Sequence, residues 1–266
     1  MTTLSALVTG GASGIGAATC RRIVEGGGRV AVFDLNAEAA ERLAGELGDA
    51  AVATRGNTLV EENLRSAIAT LEGKGVAINA LVCCAGIPQV PKGPQDFPLS
   101  DFNRIVESHL SGAYVACRVV GSHMRASGTH GAIVNLASVV GMAPGPTLAY
   151  GPAKAAVINL TQILATDWAR DGIRVNAVAP GWTDTPFLRP AERQGQRDMS
   201  PIVNATPLGR VMQAAEIAEV IHFLLTPAAS AVTGVTIPCD GGFLAGRGWA
   251  AYGGFSLDPS AGGARA

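Results

Sequence analysis

Hydrophobic and polar positions alternate between two patterns along the chain. Short, nearly unbroken runs of Val, Ile, Leu and Ala occupy residues 4–9, 29–34, 51–54, 80–84, 131–138, 174–179 and 236–239. Runs of that length without polar alternation predict strands covered on both faces. Longer segments, over 14–26, 37–47, 60–71, 102–124, 150–171 and 214–225, predict helices. Regular strand–helix alternation predicts an α/β fold, a doubly wound parallel sheet with helices on both faces. Two stretches break the rhythm. Residues 181–208 carry Pro186, Pro190, Pro201 and Pro207 among polar residues and read as a loop with short helices, a lid over about 182–208. Residues 243–266 form a Gly- and Ala-rich extension bearing Phe243, Trp249, Tyr252 and Phe255. Four aromatics favour docking on the body, or on a partner subunit, over a free tail.

Composition narrows the function classes. A chain of 266 residues suits one large domain, and 48% apolar content with 34 Gly suits a buried sheet with close turns. The net charge is −1 with scattered basic residues, so neither nucleic acid nor an anionic membrane is an expected partner. No apolar run approaches the ~18 residues of a membrane span. Met1-Thr-Thr leads straight into an apolar strand without a charged leader, so the expected location is cytoplasmic. Cys20, Cys83, Cys84, Cys117 and Cys239 lie mostly inside apolar segments and show no Cys-x-x-Cys spacing, so they read as buried free thiols and suggest no metal site.

Three local patterns carry chemistry. The first strand runs into Thr9-Gly-Gly-Ala-Ser-Gly-Ile-Gly16 and then a helix, a turn whose backbone N–H groups can approach a pyrophosphate. The second strand ends at Asp34, where a carboxylate can accept both hydroxyls of an adenosine ribose and repel a 2′-phosphate. With no Arg or Lys in the turn or just after Asp34, the expected cofactor is NAD. The third pattern is Tyr150-Gly-Pro-Ala-Lys154, two side chains on one face of a helix. A phenol has a reference pKa of about 10, and bringing it to about 7 requires ~4 kcal/mol. An ammonium about 4 Å away supplies roughly that much at an effective dielectric of ~20. The pair therefore reads as a general base with its activator. Ser138, at the end of an apolar strand, offers a hydroxyl to the same oxygen centre, or simply caps a turn.

Taken in order, these residues resemble the short-chain dehydrogenase/reductase family over residues 4 to about 242. Beside the Gly-rich turn, the resemblance rests on Cys84-Ala-Gly86, Asn135-Leu-Ala-Ser138, Tyr150-x-x-x-Lys154, Pro180-Gly181 and Asp240-Gly-Gly242. It implies a single-domain, Rossmann-type NAD-binding catalytic domain over residues 1–242, usually assembled as a homotetramer. The implied activity moves a hydride between the nicotinamide and an alcohol or carbonyl. Tyr150 would act on the substrate oxygen, Ser138 would hold it, and Lys154 would lower the Tyr150 pKa and bond the nicotinamide ribose. Cofactor contacts are implied at Gly10, Ser13, Gly14, Ile15, Gly16, Asp34, Leu35, Asn57, Thr58, Cys84, Ala85, Gly86, Tyr150, Lys154, Pro180, Gly181, Thr183 and Thr185.

The chain departs from the pattern at three places. His109, in Ser108-His-Leu-Ser-Gly112, stands where the family usually has Asn supporting a proton-relay water. Either His109 anchors that water or itself exchanges protons, or it is a packed helix residue and the relay runs through a backbone carbonyl. Cys83-Cys84 replaces the usual Asn-Asn, and Asn57-Thr58 replaces Asp-Val, where Asn57 either meets the adenine edge or is a plain loop residue. The substrate pocket is expected around Ser138, Met142, Thr147, Tyr150, Gly181 and Trp182, for a small or medium, largely uncharged secondary alcohol or ketone. Arg189, Arg193 and Arg197 in the lid read as a solvated face. Alternatives are a carbonyl or 3-oxoacyl reductase of the same family, and a non-catalytic nicotinamide-binding sensor.

Overall fold

Each central strand sends alternate side chains to opposite faces, and both faces are apolar. In β1 (Ser5–Thr9), Leu7 joins one core cluster while Ala6 and Val8 join another. The computed structural model describes residues 3–75, 77–188, 198–249 and 254–255. Along the chain β1 is followed by α1 (Gly14–Glu25), β2 (Arg29–Asp34), α2 (Ala37–Leu47), β3 (Ala51–Arg55), α3 (Glu61–Glu72) and β4 (Ala80–Cys83). Then come α4 (Leu99–Val106), a π-helical turn (Glu107–Ser111), α5 (Gly112–Ala126), β5 (Gly131–Leu136), α6 (Val139–Met142), α7 (Tyr150–Trp168) and β6 (Ile173–Pro180). The last described elements are β7 (Thr183–Asp184), α8 (Ser200–Asn204), β8 (Met212–Gln213), α9 (Ala214–Leu225) and β9 (Thr236–Cys239).

Seven strands form one parallel sheet in the order β3-β2-β1-β4-β5-β6-β9. Helices α3, α5 and α7 cover the face of Leu7, Phe33, Leu81, Ile133 and Val175, and α1, α2 and α9 cover the face of Val8, Val32, Val82 and Val134. Burying each such large side chain stabilises the fold by ~1.5–3 kcal/mol, so the two layers fix the sheet and its strand ends. The strand order reverses between β1 and β4, which opens a crevice at the carboxyl ends of the strands.

The expected elements are present, with informative differences at their ends. The helix expected over 102–124 begins at Leu99 and is interrupted by the π turn at Glu107–Ser111, which holds His109. The strand expected over 131–138 stops at Leu136, because Ser138 leaves the ladder to cap α6. The helix expected to reach residue 171 ends at Trp168 and continues as a 3-10 turn, Ala169–Asp171. At the start of the lid, β7 pairs with β8, which follows the lid, in a small second sheet. Arg189, Arg193, Arg197 and Tyr252 lie outside the described residues. No described helix is long and apolar enough to cross a membrane. The five cysteines are free.

Candidate active site

The Gly-rich turn is shaped by contacts that admit no side chain. Gly10 has φ 63°, and a Cβ there would lie 2.8 Å from the Ala85 backbone; a Cβ on Gly16 would overlap the Gly10 carbonyl. The turn therefore brings β1, α1 and the segment after β4 into backbone contact. Cys84 N–H donates to the Thr9 carbonyl at 3.1 Å, and Ala85 N–H to the Thr9 hydroxyl at 3.4 Å, which anchors Cys84-Ala85-Gly86 beside the turn. Ser13 occupies the N-cap of α1 without making a side-chain cap bond. At the end of β2 the Asp34 carboxylate accepts Ala12 N–H at 3.1 Å and Asn36 N–H at 3.0 Å, so it is held in place against the turn.

A cleft of about 780 Å³ runs from this turn across the carboxyl ends of the strands. It gathers every expected cofactor residue: Gly10, Ser13, Gly14, Ile15, Gly16, Asp34, Leu35, Asn57, Thr58, Cys84, Ala85, Gly86, Tyr150, Lys154, Pro180, Gly181, Thr183 and Thr185. The lining residues from β1 to the turn after β3 include no Arg or Lys. Arg55, the register partner of Asp34, does not line the cleft. Asn57 is in part the loop residue of the plainer reading, since its Oδ1 accepts Leu59 N–H at 3.0 Å. Thr185 packs on the turn, where a Cβ on Gly14 would be 3.3 Å from its side chain, so the lid's first segment lies over the Gly-rich loop.

Ser138, Thr147, Tyr150, Trp182 and His109 line the same cleft. Met142 does not; it is 44% exposed at the end of α6, while Val140, Ala143 and Pro144 face the cleft in its stead. A four-residue helix turns Met142 outward, which corrects the expectation. Ser138 caps the turn, its hydroxyl accepting Val140 N–H at 3.4 Å, and it lies close enough to the Tyr150 phenol to lower its pKa.

The electrostatics differ from the sequence expectation. Burial pushes the Tyr150 phenol up to about 12, with the Ser138 hydroxyl pulling the other way. Lys154 lies 5.7 Å from the Tyr150 ring centroid and donates to the Leu136 carbonyl, and the protein alone shows no lowering of the phenol by its ammonium. Burial brings Lys154 itself down to about 8, so it releases its proton far more readily than a solvated lysine. The Cys84 thiol is pushed up to about 12 by burial and stays neutral.

His109 is buried. Its Nε2 bonds the Ile87 carbonyl at 2.8 Å, its Nδ1 has no partner among the described residues, and its ring meets Tyr150 edge-on with centroids 4.9 Å apart. A Cβ on Gly86 would collide with the imidazole, so His109 is fitted to the Cys84-Ala85-Gly86 segment. Burial, then Lys154, hold the imidazole at about 3. Burial thus keeps His109 neutral near neutral pH, which disfavours proton exchange there, whereas anchoring and packing are compatible with this geometry.

Two lining residues carried no sequence signal of comparable strength. Phe187 of the lid stands 5.8 Å from Tyr150 and 6.4 Å from His109, ring centroid to ring centroid. It was legible only as an apolar residue beside Pro186. Gln89 was not legible at all. Its Oε1 accepts Ala149 N–H at 3.0 Å and Tyr150 N–H at 2.8 Å across some sixty residues of chain.

Comparison with known proteins agrees with this arrangement. A family model described as enoyl-(acyl carrier protein) reductase matches residues 10–244. The chain belongs to the short-chain dehydrogenase/reductase family. Within it, the chain is similar to cis-4-hydroxycyclohexanecarboxylate dehydrogenase from Sinomonas cyclohexanicum, 38% identical over 90% of this chain and 96% of the relative. A solved structure of 3-ketoacyl-(acyl-carrier-protein) reductase from Brucella melitensis, complexed with NADH, superposes with a TM-score of 0.83 at 33% identity, covering 91% of this chain and 98% of that one. Another, bearing the name ribose-5-phosphate isomerase from Brucella melitensis 16M, gives 0.89 at 37% identity, covering 96% and 98%. Short-chain dehydrogenase/reductase proteins are oxidoreductases on a Rossmann-type sheet, and the seven-stranded sheet here is of that type.

Proposed function

We propose that this protein is an NAD-linked dehydrogenase that reversibly oxidises a secondary hydroxyl on a small or medium, largely uncharged substrate, cyclic alcohols foremost. The observation that carries the reading is the convergence of Ser138, Tyr150 and Lys154 on one cleft, with Lys154 buried one helical turn from Tyr150. A nicotinamide cofactor, when bound, accepts the hydride that leaves the carbinol carbon. The residues present fit such a group. The Gly10–Gly16 turn lines the cleft at the N-terminus of α1, where backbone N–H groups can meet a pyrophosphate, and Asp34 presents a fixed carboxylate with no Arg or Lys lining the cleft between β1 and the turn after β3.

In this reading Ser138 donates a hydrogen bond to the reacting oxygen, and Tyr150 takes its proton as the carbon–oxygen double bond forms. In the reverse direction Tyr150 donates that proton. Lys154 holds the ribose side and passes protons on, for which a value near 8 suits it. Burial keeps the phenol protonated at neutral pH, so oxidation, which needs the phenolate to accept a proton, gains as pH rises, and reduction, which uses the phenol, loses. The ring-alcohol preference draws on the name of the Sinomonas relative and on the apolar wall of Val140, Pro144, Trp182 and Phe187. A second reading, reduction of a 3-oxoacyl group, is favoured by the name of the Brucella structure. A homotetramer belongs to the same proposal, and sedimentation would read it.

The test is a panel of cyclic and acyclic secondary alcohols with NAD, followed by absorbance of the reduced cofactor, beside 3-oxoacyl thioesters with NADH. Turnover of ring alcohols is expected, rising with pH, and lower by ~10²–10⁴-fold in Tyr150→Phe. Wild-type rates in Tyr150→Phe, or silence across the panel, would overturn the mechanism.

A further inference from the structure

Helix α7 opens without a cap of its own. Ala149 occupies the N-cap position, has helical backbone angles, and offers no side-chain acceptor. An α-helix leaves its first N–H groups without intrahelical partners, and a side-chain oxygen ordinarily meets one of them. Here the oxygen comes from another part of the fold. Gln89, on the loop that follows β4, places Oε1 2.8 Å from Tyr150 N and 3.0 Å from Ala149 N. The same loop holds the opposite side of the phenol's surroundings: the Ile87 carbonyl bonds His109 Nε2, and Gly86 packs against that imidazole, which in turn meets the Tyr150 ring. The four residues Gly86–Gln89 thus bracket Tyr150 from its backbone and from its ring.

We propose that Gln89 is a positioning residue for Tyr150, supplying from the β4 loop the cap that α7 lacks and tying the phenol to the segment Cys84-Ala85-Gly86. The proposal rests on the reading of Tyr150 as the proton-transfer residue. A phenol must meet the substrate oxygen at hydrogen-bond distance, and a displacement of about 1 Å can cost on the order of 10²-fold in rate. Capping by a residue on the cofactor wall sets that distance relative to the cofactor wall itself, which a local Ser or Asp cap within α7 would not do. A carboxylate would accept the same two N–H bonds but would bring a negative charge to the base of Tyr150 and oppose ionisation of the phenol.

Three variants separate these roles. Gln89→Met keeps the side chain's length and removes both acceptor bonds. It should lower kcat on the order of 10- to 100-fold, with the Kd for NAD, read by fluorescence titration, within about twofold by the same geometric argument. Gln89→Glu keeps both acceptors. It should recover most of kcat at alkaline pH, with the pH–rate profile for oxidation moved to higher pH. Gln89→Asn, one methylene short, should resemble the Met variant. Wild-type kcat and pH profile in Gln89→Met overturn the proposal. If the Met variant does not fold, a Glu variant no better than the Asn variant overturns it. Tyr150→Phe is run alongside. If it keeps wild-type turnover, the reading of Tyr150 fails and this inference fails with it; if it is inactive while Gln89→Met is normal, only the inference about Gln89 fails.

Discussion

At the scale of single residues, the site is governed by burial more than by charge pairs. Tyr150, Lys154 and His109 are each displaced first by desolvation, upward for the acid and downward for the two bases. His109 shows the consequence most plainly. In the unfolded chain an imidazole takes up its proton near 6.5, whereas the folded protein withholds it until about 3. Between those values the unfolded state binds more protons, so the stability that a neutral His109 contributes is present above 6.5 and is lost as pH falls toward 3. His109→Asn removes this titration. Denaturant midpoints measured from pH 7 to pH 3 should therefore fall less steeply in the Asn variant than in the wild type, by an amount on the order of a few kcal/mol over the window. The wild-type pH–rate profile above pH 6 should keep its shape in the same variant, because the imidazole does not titrate there. A shifted profile would return His109 to the proton path.

At the scale of elements, legibility followed the range of the contact that defines each one. The strands, the Gly-rich turn, Asp34, Ser138 and the Tyr150–Lys154 spacing are local patterns, and Gly10, Ser13, Gly14, Ile15, Gly16, Asp34, Ser138, Tyr150 and Lys154 line one cleft. Three features depend on distant chain and left no local mark. The π turn at Glu107–Ser111 is an interruption that apolar spacing over 99–126 does not reveal. Met142 points away from the cleft because α6 is a single short turn capped by Ser138. Gln89 caps a helix to which no sequence proximity links it. The Gly-rich turn permits a sharp prediction at this scale. Gly16→Ala would drive a methyl into the Gly10 carbonyl and force β1 and α1 apart. Overpacking of this kind costs ~1–3 kcal/mol. The variant should melt earlier and bind NAD ~5- to 100-fold more weakly, at 1.4 kcal/mol per decade. Gly45→Ala, whose Cβ would meet nothing within 4 Å, is the control, and should leave cofactor affinity unchanged. Equal affinities in the two variants would refute the close-packed turn.

At the scale of the whole molecule, the lid is held at both ends by different partners. Its first segment rests on the Gly-rich turn through Thr185. Its far end rests on the C-terminal extension: a Cβ on Gly242 would lie 3.1 Å from the Pro207 ring, and one on Gly246 would lie 2.8 Å from Pro207 and 2.6 Å from Phe255. Asp240 sets the start of that extension by accepting Gly242 N–H at 2.8 Å and Leu244 N–H at 2.9 Å, which turns Phe243 into the cleft lining. The extension thus adds Phe243 to the cleft wall and packs against Pro207 at the lid's return. Ending the chain after Gly242 removes Phe243 and the Pro207 support while leaving Thr185 on the cofactor turn. Losing the half-buried Phe243 ring costs ~1 kcal/mol or more, which corresponds to a rise in substrate KM of ~5-fold or more. The Kd for NAD should change by less than about twofold, since Asp34 and the turn are untouched. Steady-state kinetics beside cofactor titration reads the two separately. An unchanged KM would show that the lid closes without the extension, and a matched loss of NAD affinity would mean that the lid moves as one piece from Thr185 to Pro207.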